Sequence, residues 1–191
     1  MTNLVDMTKV EGAALQLRRD WIDLRELSGS AVARIRRQYP RCEIRIDIAR
    51  DLPLLRLDYT LFEQVLFNLM DNAAKYAGPE GPLVIRGRRD GPEIVVEVID
   101  AGPGIPVTEL ERVFEKFYRV GRGPDPRWGD RAPSGTGLGL AICRGIVEAH
   151  GGVIRAESPV ADGRGTRLIV HLPIETQPAS DVGNPPQAAT R

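Results

Sequence analysis

The sequence predicts an α/β domain built on an open sheet, mixed but mainly antiparallel, with helices covering one face. Two observations point there. Stretches with helical apolar spacing are interleaved with short stretches of alternating apolar residues, and two of the latter are joined by Asp90-Gly91, a frequent hairpin signal. A chain of 191 residues with 42% hydrophobic content can bury one substantial core, which makes one domain with appendages the natural reading.

In chain order, Met1 to Glu11 carries Leu4, Met7 and Val10 at helical spacing but is too short to stand alone. It reads as the stump of a longer helix, so residues 1–13 are set apart from a domain spanning 14–174. Leu15, Leu17 and Trp21 keep strand parity. Leu24 to Tyr39 returns to helical spacing through Leu27, Ala31 and Ile35 until Pro40 ends it. Glu43 to Ile48 alternates with Ile44, Ile46 and Ile48 on one face, as a half-buried strand does. Tyr59 to Ala77 is the longest helix, with Asp58 as N-cap, Gly78-Pro79 as stop, and Leu61, Val65, Leu69 and Ala73 on its buried face. Leu83 to Arg89 and Glu93 to Ile99 form the hairpin. Val107 to Phe114 reads as a short helix.

Gly121 to Gly135 holds Gly, Pro, Asp, Arg and one Trp without periodicity, and is expected to be a long mobile lid. Gly137 to His150 is again helical and ends at Gly151-Gly152. Val153 to Glu157 and Thr166 to Leu172 are the last strands. Residues 175–191, rich in Pro, Ala, Gln and Asn, are expected to be a disordered tail.

Lys plus Arg and Asp plus Glu balance at 26 each, so no global field recruits nucleic acid. With no long uncharged apolar run and no basic-then-apolar leader, the chain is expected to be cytoplasmic and to make no direct membrane contact. Cys42, in an expected strand, and Cys143, in an expected helix, lack metal-type spacing and read as reduced thiols.

Four elements in fixed order carry the chemistry: Asn68-Leu69-Met70-Asp71-Asn72-Ala73-Ala74-Lys75-Tyr76, Asp100-Ala101-Gly102-Pro103-Gly104, Phe114-Glu115-Lys116-Phe117-Tyr118-Arg119, and Gly135-Thr136-Gly137-Leu138-Gly139-Leu140. Asn68, Asn72 and Lys75 or Tyr76 project along one side of a helix. A lone Asn there would cap backbone groups, but two amides sharing a stripe with a cation suit a metal and phosphates better. Asp100 follows Ile94, Val96 and Val98 at strand parity, so this carboxylate points to the covered face and needs a donor. Gly102 and Gly104 allow close approach in the following turn, which also holds Ile105. At Thr136 to Leu140 a loop becomes a helix, exposing unpaired N–H groups and the positive dipole end.

Jointly these elements resemble the N, G1, F and G2 boxes of the sensor histidine kinases, whose ATP-binding domain shares its fold with DNA gyrase B, Hsp90 and MutL. The resemblance runs from about Leu4 to Pro173. Phe62 to Tyr76 followed by Thr136 to Gly152 looks most like the potassium- and turgor-sensing members. It implies a two-layer α/β sandwich, the Bergerat or GHKL ATPase fold, with ATP and Mg2+ as cofactors. Asn72 would give its amide oxygen to magnesium. Asn68 stands where ATP-hydrolysing relatives carry a base glutamate, so free hydrolysis is expected to be slow. Asp100 would accept the adenine exocyclic amine, and its replacement by Ala is expected to remove most affinity while leaving the fold intact. Lys75 would meet phosphate, and Tyr76 the base or ribose. Arg119 would approach the terminal phosphate, with a salt bridge on the loop stem as the competing reading. Gly102, Gly104, Ile105, Thr136, Gly137, Leu138, Gly139 and Leu140 complete the expected nucleotide set, and Asn68, Lys75 and Arg119 the expected catalytic set.

The sequence departs from the family in one respect: it has no histidine before His150. His150, in a last helical turn, reads as a cap residue at a position favourable for a cation, and His171 as an outward strand residue. The acceptor histidine is therefore expected on a separate dimerisation domain, and the chain reads as a monomeric catalytic domain from a membrane-anchored bacterial kinase that also meets a response regulator. The competing readings are another ATPase of this fold, an anti-sigma serine kinase, and a non-catalytic nucleotide-dependent module.

Overall fold

A computed structural model describes residues 16–77, 81–120, 135–160 and 163–176. The expected stump at 1–13, positions 121–134 of the expected lid, and 177–191 of the expected tail lie outside these residues. The elements run β1 (Arg19–Ile22), α1 (Leu24–Gln38), β2 (Ile44–Ile48), β3 (Leu55–Asp58), α2 (Tyr59–Ala77), β4 (Leu83–Asp90), β5 (Glu93–Ile99), α3 (Gly139–Ala149), β6 (Val153–Glu157) and β7 (Arg167–Pro173). A five-stranded sheet has the order β2-β4-β5-β7-β6, with β2 parallel to β4 and every other pair antiparallel. The β1 and β3 strands form a separate antiparallel pair.

Local signals mark three of the helix ends. Asp23 caps α1, accepting from the N–H groups of Arg25 at 2.7 Å and Glu26 at 3.4 Å. Asp58 does the same for α2 through the N–H of Leu61 at 3.2 Å. The α3 helix stops at Gly151, whose φ of 77° is one that L side chains rarely adopt. Leu27, Ala31 and Ile35 of α1 join Val65, Leu69 and Ala73 of α2 and Ile142, Ile146 and Val147 of α3 in one core. Against them pack Leu83 and Ile85 of β4, Ile94, Val96 and Val98 of β5, and Leu168, Val170 and Leu172 of β7. This is the expected sandwich, with helices on one sheet face.

The other face is tied together by charge. Asp47 of β2 meets Arg86 of β4 at 2.8 Å, Arg86 meets Glu97 of β5 at 3.7 Å, Glu97 meets Arg167 of β7 at 3.3 Å, and Arg167 meets Glu157 of β6 at 2.5 Å. Alternating signs thus cross all five strands. Glu97 at the centre is buried, with its side chain 4% exposed.

Several expectations are corrected. The segment 107–114 is not one helix but two 3₁₀ turns, Val107–Glu109 and Arg112–Phe114. Val107 is exposed and only Val113 and Phe114 are buried, so no apolar stripe rewards a continuous helix. Strand β3 was not anticipated, although Leu55 and Leu57 are buried at strand parity. Ile46 is exposed while Ile44 and Ile48 are buried, so the apolar face of the edge strand β2 is covered only in part. Cys42 lies before β2 rather than in a strand. Glu175, the first residue of the expected tail, pairs with Arg19 at 3.2 Å and Arg56 at 3.4 Å. Among the described residues no helix is long and apolar enough to cross a membrane.

His150 is the C-cap of α3, as expected, and its ring is neutral although the position favours a cation. Its Nε2 accepts the N–H of Asp58 at 3.0 Å, and its Nδ1 lies 2.8 Å from the carbonyl of Ile146. An acceptor at one nitrogen and a donor at the other define a neutral ring. Burial lowers its pKa below the ordinary value. The ring, set edge-on to Phe62 at 5.6 Å, joins the end of α3 to the start of α2.

Candidate functional site

A cleft enclosing about 1140 Å³ of empty space, part of it open to solvent, lies between α2, the turn after β5 and the start of α3. Asn68, Asn72, Lys75 and Tyr76 reach it from α2, and Asp100, Gly104 and Ile105 from the end of β5. Arg119 enters from one stem of the 121–134 segment, and Thr136, Gly137, Gly139 and Leu140 from the other. Two expected residues do not line it. Leu138 is buried in the core, as its apolar side chain demands, and Gly102 is buried behind the wall.

Gly102 is nonetheless required there. A Cβ at that position would lie 2.6 Å from the carbonyl oxygen of Tyr76, so the turn can back onto α2 only without a side chain. Its N–H donates to Asp100 Oδ1 at 2.8 Å, and the N–H of Thr166 donates to the same oxygen at 3.2 Å. The second Asp100 oxygen has no hydrogen-bond partner among the described residues, and the carboxylate lines the cleft. Burial pushes the Asp100 pKa up to about 6, against the pull of the two N–H donors. The cleft therefore offers one oriented acceptor in an apolar wall.

At the opposite end, α3 starts at Gly139 with no side chain capping it. Its first N–H groups open on the cleft as an uncapped positive dipole end. Gly137, at φ 72°, makes the approach possible: a Cβ there would lie 2.8 Å from the backbone of Phe117. Phe117 is itself left-handed at φ 62°, and its N–H donates to Gly137 O at 2.9 Å. Arg119 Nη1 donates to Gly135 O at 3.2 Å. Both stems of the 121–134 segment are thus fastened together beside the cleft.

The α2 amides differ in setting. Asn68 Nδ2 is buried with no hydrogen-bond partner of good geometry among the described residues. It neighbours the Cys143 thiol, whose pKa burial pushes up to about 12 with Asn68 opposing. Lys75 pairs with Asp71 one turn back, and its remaining N–H groups have no partner among the described residues.

Three contributors escaped sequence reasoning. Thr166, the residue before β7, reaches Asp100 because β5 pairs with β7, a long-range register no local pattern announces. Ser158 Oγ accepts the N–H of Ile105 at 2.8 Å and donates to Gly165 O at 2.9 Å, fixing the same turn from the β6 side. Asp71 lines the cleft, and its four-residue spacing from Lys75 was a readable signal.

Residues 57–176 match the family model for histidine kinase-, DNA gyrase B-, and HSP90-like ATPases. The sensor protein KdpD of Escherichia coli (strain K12) is 36% identical over 178 residues, covering 93% of this chain and 19% of that protein. The chain thus spans about a fifth of that relative's length. Among solved structures, the mycobacterial sensor histidine kinase MprB superposes with a TM-score of 0.69 at 30% identity, covering 81% of this chain and 97% of that one. Full-length ShkA in complex with AMPPNP superposes with a TM-score of 0.75 at 25% identity, covering 93% and 35%.

Proposed function

This chain belongs to the histidine kinase-, DNA gyrase B- and HSP90-like ATPases, and we propose that it is the ATP-binding catalytic domain of a sensor histidine kinase, passing the γ-phosphate to a histidine on a separate dimerisation domain. The observation that carries this reading is that one cleft holds the buried Asp100 carboxylate at one end and an uncapped helix start beside a lysine at the other. The first suits the donor edge of adenine, and the second suits a polyphosphate.

The residues present fit both ATP and Mg2+. Asp100 would accept the exocyclic amine of adenine, a position where guanine carries an oxygen and offers no proton. Gly104, Ile105 and Tyr76 would flank the base and ribose. The α3 N-terminus, Thr136, Lys75 and Arg119 would face the phosphates. Among the described residues no group of three or more His, Cys, Asp or Glu could cage a metal. A magnesium ion would therefore take most of its oxygens from phosphate and water, with the Asn72 amide as a protein ligand. Bound magnesium supplies charge neutralisation on the phosphates. Asn68 cannot accept a proton, so this chain orients the phosphoryl group without activating water.

The parent kinase would supply the dimerisation domain and meet a response regulator, and the chain would work on the cytoplasmic side of a membrane-anchored sensor. Incubation of the chain with labelled ATP and Mg2+ should leave it unlabelled. Adding the dimerisation domain of the parent kinase should give acid-labile, base-stable label on that domain. Label on His150 or His171, or base-labile label on the acceptor, would overturn the assignment.

A further inference from the structure

Asp71 has no part in the nucleotide contacts above, yet its carboxylate is held from three directions. Tyr39 donates its hydroxyl to Oδ1 at 2.8 Å, Gln38 Nε2 donates to the same oxygen at 3.0 Å, and the Lys75 ammonium meets Oδ2. The Asp71 side chain is 13% exposed and lines the cleft. Gln38 ends α1 and Tyr39 follows it, so a helix that otherwise stays clear of the cleft reaches it through this one group. Burial first, and Asp71 second, push the Tyr39 phenol up to about 12, which keeps it a donor at working pH.

An exposed pair four residues apart on a helix would leave a lysine free to sample many rotamers. Here the carboxylate is fixed on its far side by a second helix, and the ammonium is fixed by the carboxylate. Of the three ammonium donors, Asp71 takes one, and the others have no partner among the described residues. They are available at the cleft with the ordering cost already met during folding.

We propose that Asp71, clamped by Tyr39 and Gln38, is the positioning residue that sets Lys75 against the phosphate end of the bound nucleotide. This rests on the nucleotide reading above and assigns to the end of α1 a role in the affinity for phosphate. Asp71 also puts a negative charge beside the phosphates. Electrostatic attraction alone therefore predicts that neutralising it tightens ATP binding, whereas positioning predicts the reverse.

The test is to titrate adenosine and ATP into the wild-type chain, Asp71→Asn and Tyr39→Phe, following amide shifts by NMR. In Asp71→Asn the side-chain amide turns a donor toward Lys75 and releases it. ATP affinity should fall about ten-fold with adenosine affinity unchanged. Tyr39→Phe keeps every charge and loosens the clamp, and should show the same split at about three-fold. Tighter or unchanged ATP binding in both variants would overturn the proposal. So would equal losses for adenosine and ATP, the signature of general damage to the fold. A wild-type chain that binds neither ligand would instead remove the nucleotide reading itself, and the proposal with it.

Discussion

Asp100 holds one carboxylate oxygen on two buried N–H groups while the carboxylate lines the cleft, and on the proposed function the other oxygen would read the base. Replacement by Ala would strip the acceptor from two buried N–H groups, those of Gly102 and Thr166, and so should cost stability as well as affinity. Asn at the same position keeps an oxygen for those donors and turns an amide group toward the ligand. Asp100→Asn should therefore stay folded and lose about ten- to a hundred-fold in ATP affinity by calorimetry. The pH dependence has two opposite signs. Because the folded state holds the Asp100 proton more tightly, this group costs stability as pH rises from about 4 to about 6, by roughly 3 kcal/mol. An adenine amine needs the carboxylate, so ATP affinity should fall about ten-fold between pH 7 and pH 5. Asp100→Asn should abolish that slope, and a slope retained in the variant would place the titrating group elsewhere. His150 acts in the other sense. Its pKa is lowered on folding, so its contribution is full above 6.5 and is lost as pH falls through the lowered value. His150→Ala should cost about 3 kcal/mol in urea unfolding, by orphaning Asp58 N–H and opening a cavity beside Phe62.

At the scale of elements, the five-strand charge ladder and the uncapped α3 start are opposite solutions to burial. Glu97 is buried between two partly exposed arginines, so its removal leaves two cations sharing what anions remain. Glu97→Ala should destabilise by about 2 kcal/mol, whereas Arg86→Ala should cost under about 1 kcal/mol because that side chain is 41% exposed. Equal effects in denaturant titrations would mean the ladder is decorative. The α3 start, by contrast, has no side-chain cap where it borders the cleft, and on the proposed function the phosphates would satisfy it. The same contrast explains what was legible. Helices α1, α2 and α3 and the β4–β5 hairpin carry strong local periodicity and caps, and they were read within a residue or two. Strand β3, the 3₁₀ turns and the exposed Ile46 depend on what lies across space, since β3 needs β1 and β2 is an edge only once the sheet order is known.

For the whole molecule, the sequence motifs announced the cleft's lining through residue type and order, because glycine, amide and carboxylate positions are chemically particular. Thr166 and Ser158 were not legible, since a Thr or Ser acquires meaning only when β7 and the turn after β6 bring it to Asp100 and Ile105. Leu138 was counted with the cleft because it sits inside a glycine motif, yet its side chain belongs to the core. The fold thus joins the Asp100 carboxylate, held by the turn after β5 and the residue before β7, to a lysine on α2 and the start of α3 in one cleft, the two ends that the proposed function assigns to base and phosphate. Calorimetric titration of the intact chain with ATP and with GTP, in Mg2+ near pH 7.5, tests that joint arrangement most directly. Saturable ATP binding at least about ten-fold tighter than GTP binding is expected, the difference made by one hydrogen bond to a charged group. Equal affinity for the two nucleotides, or no binding of either, would contradict it.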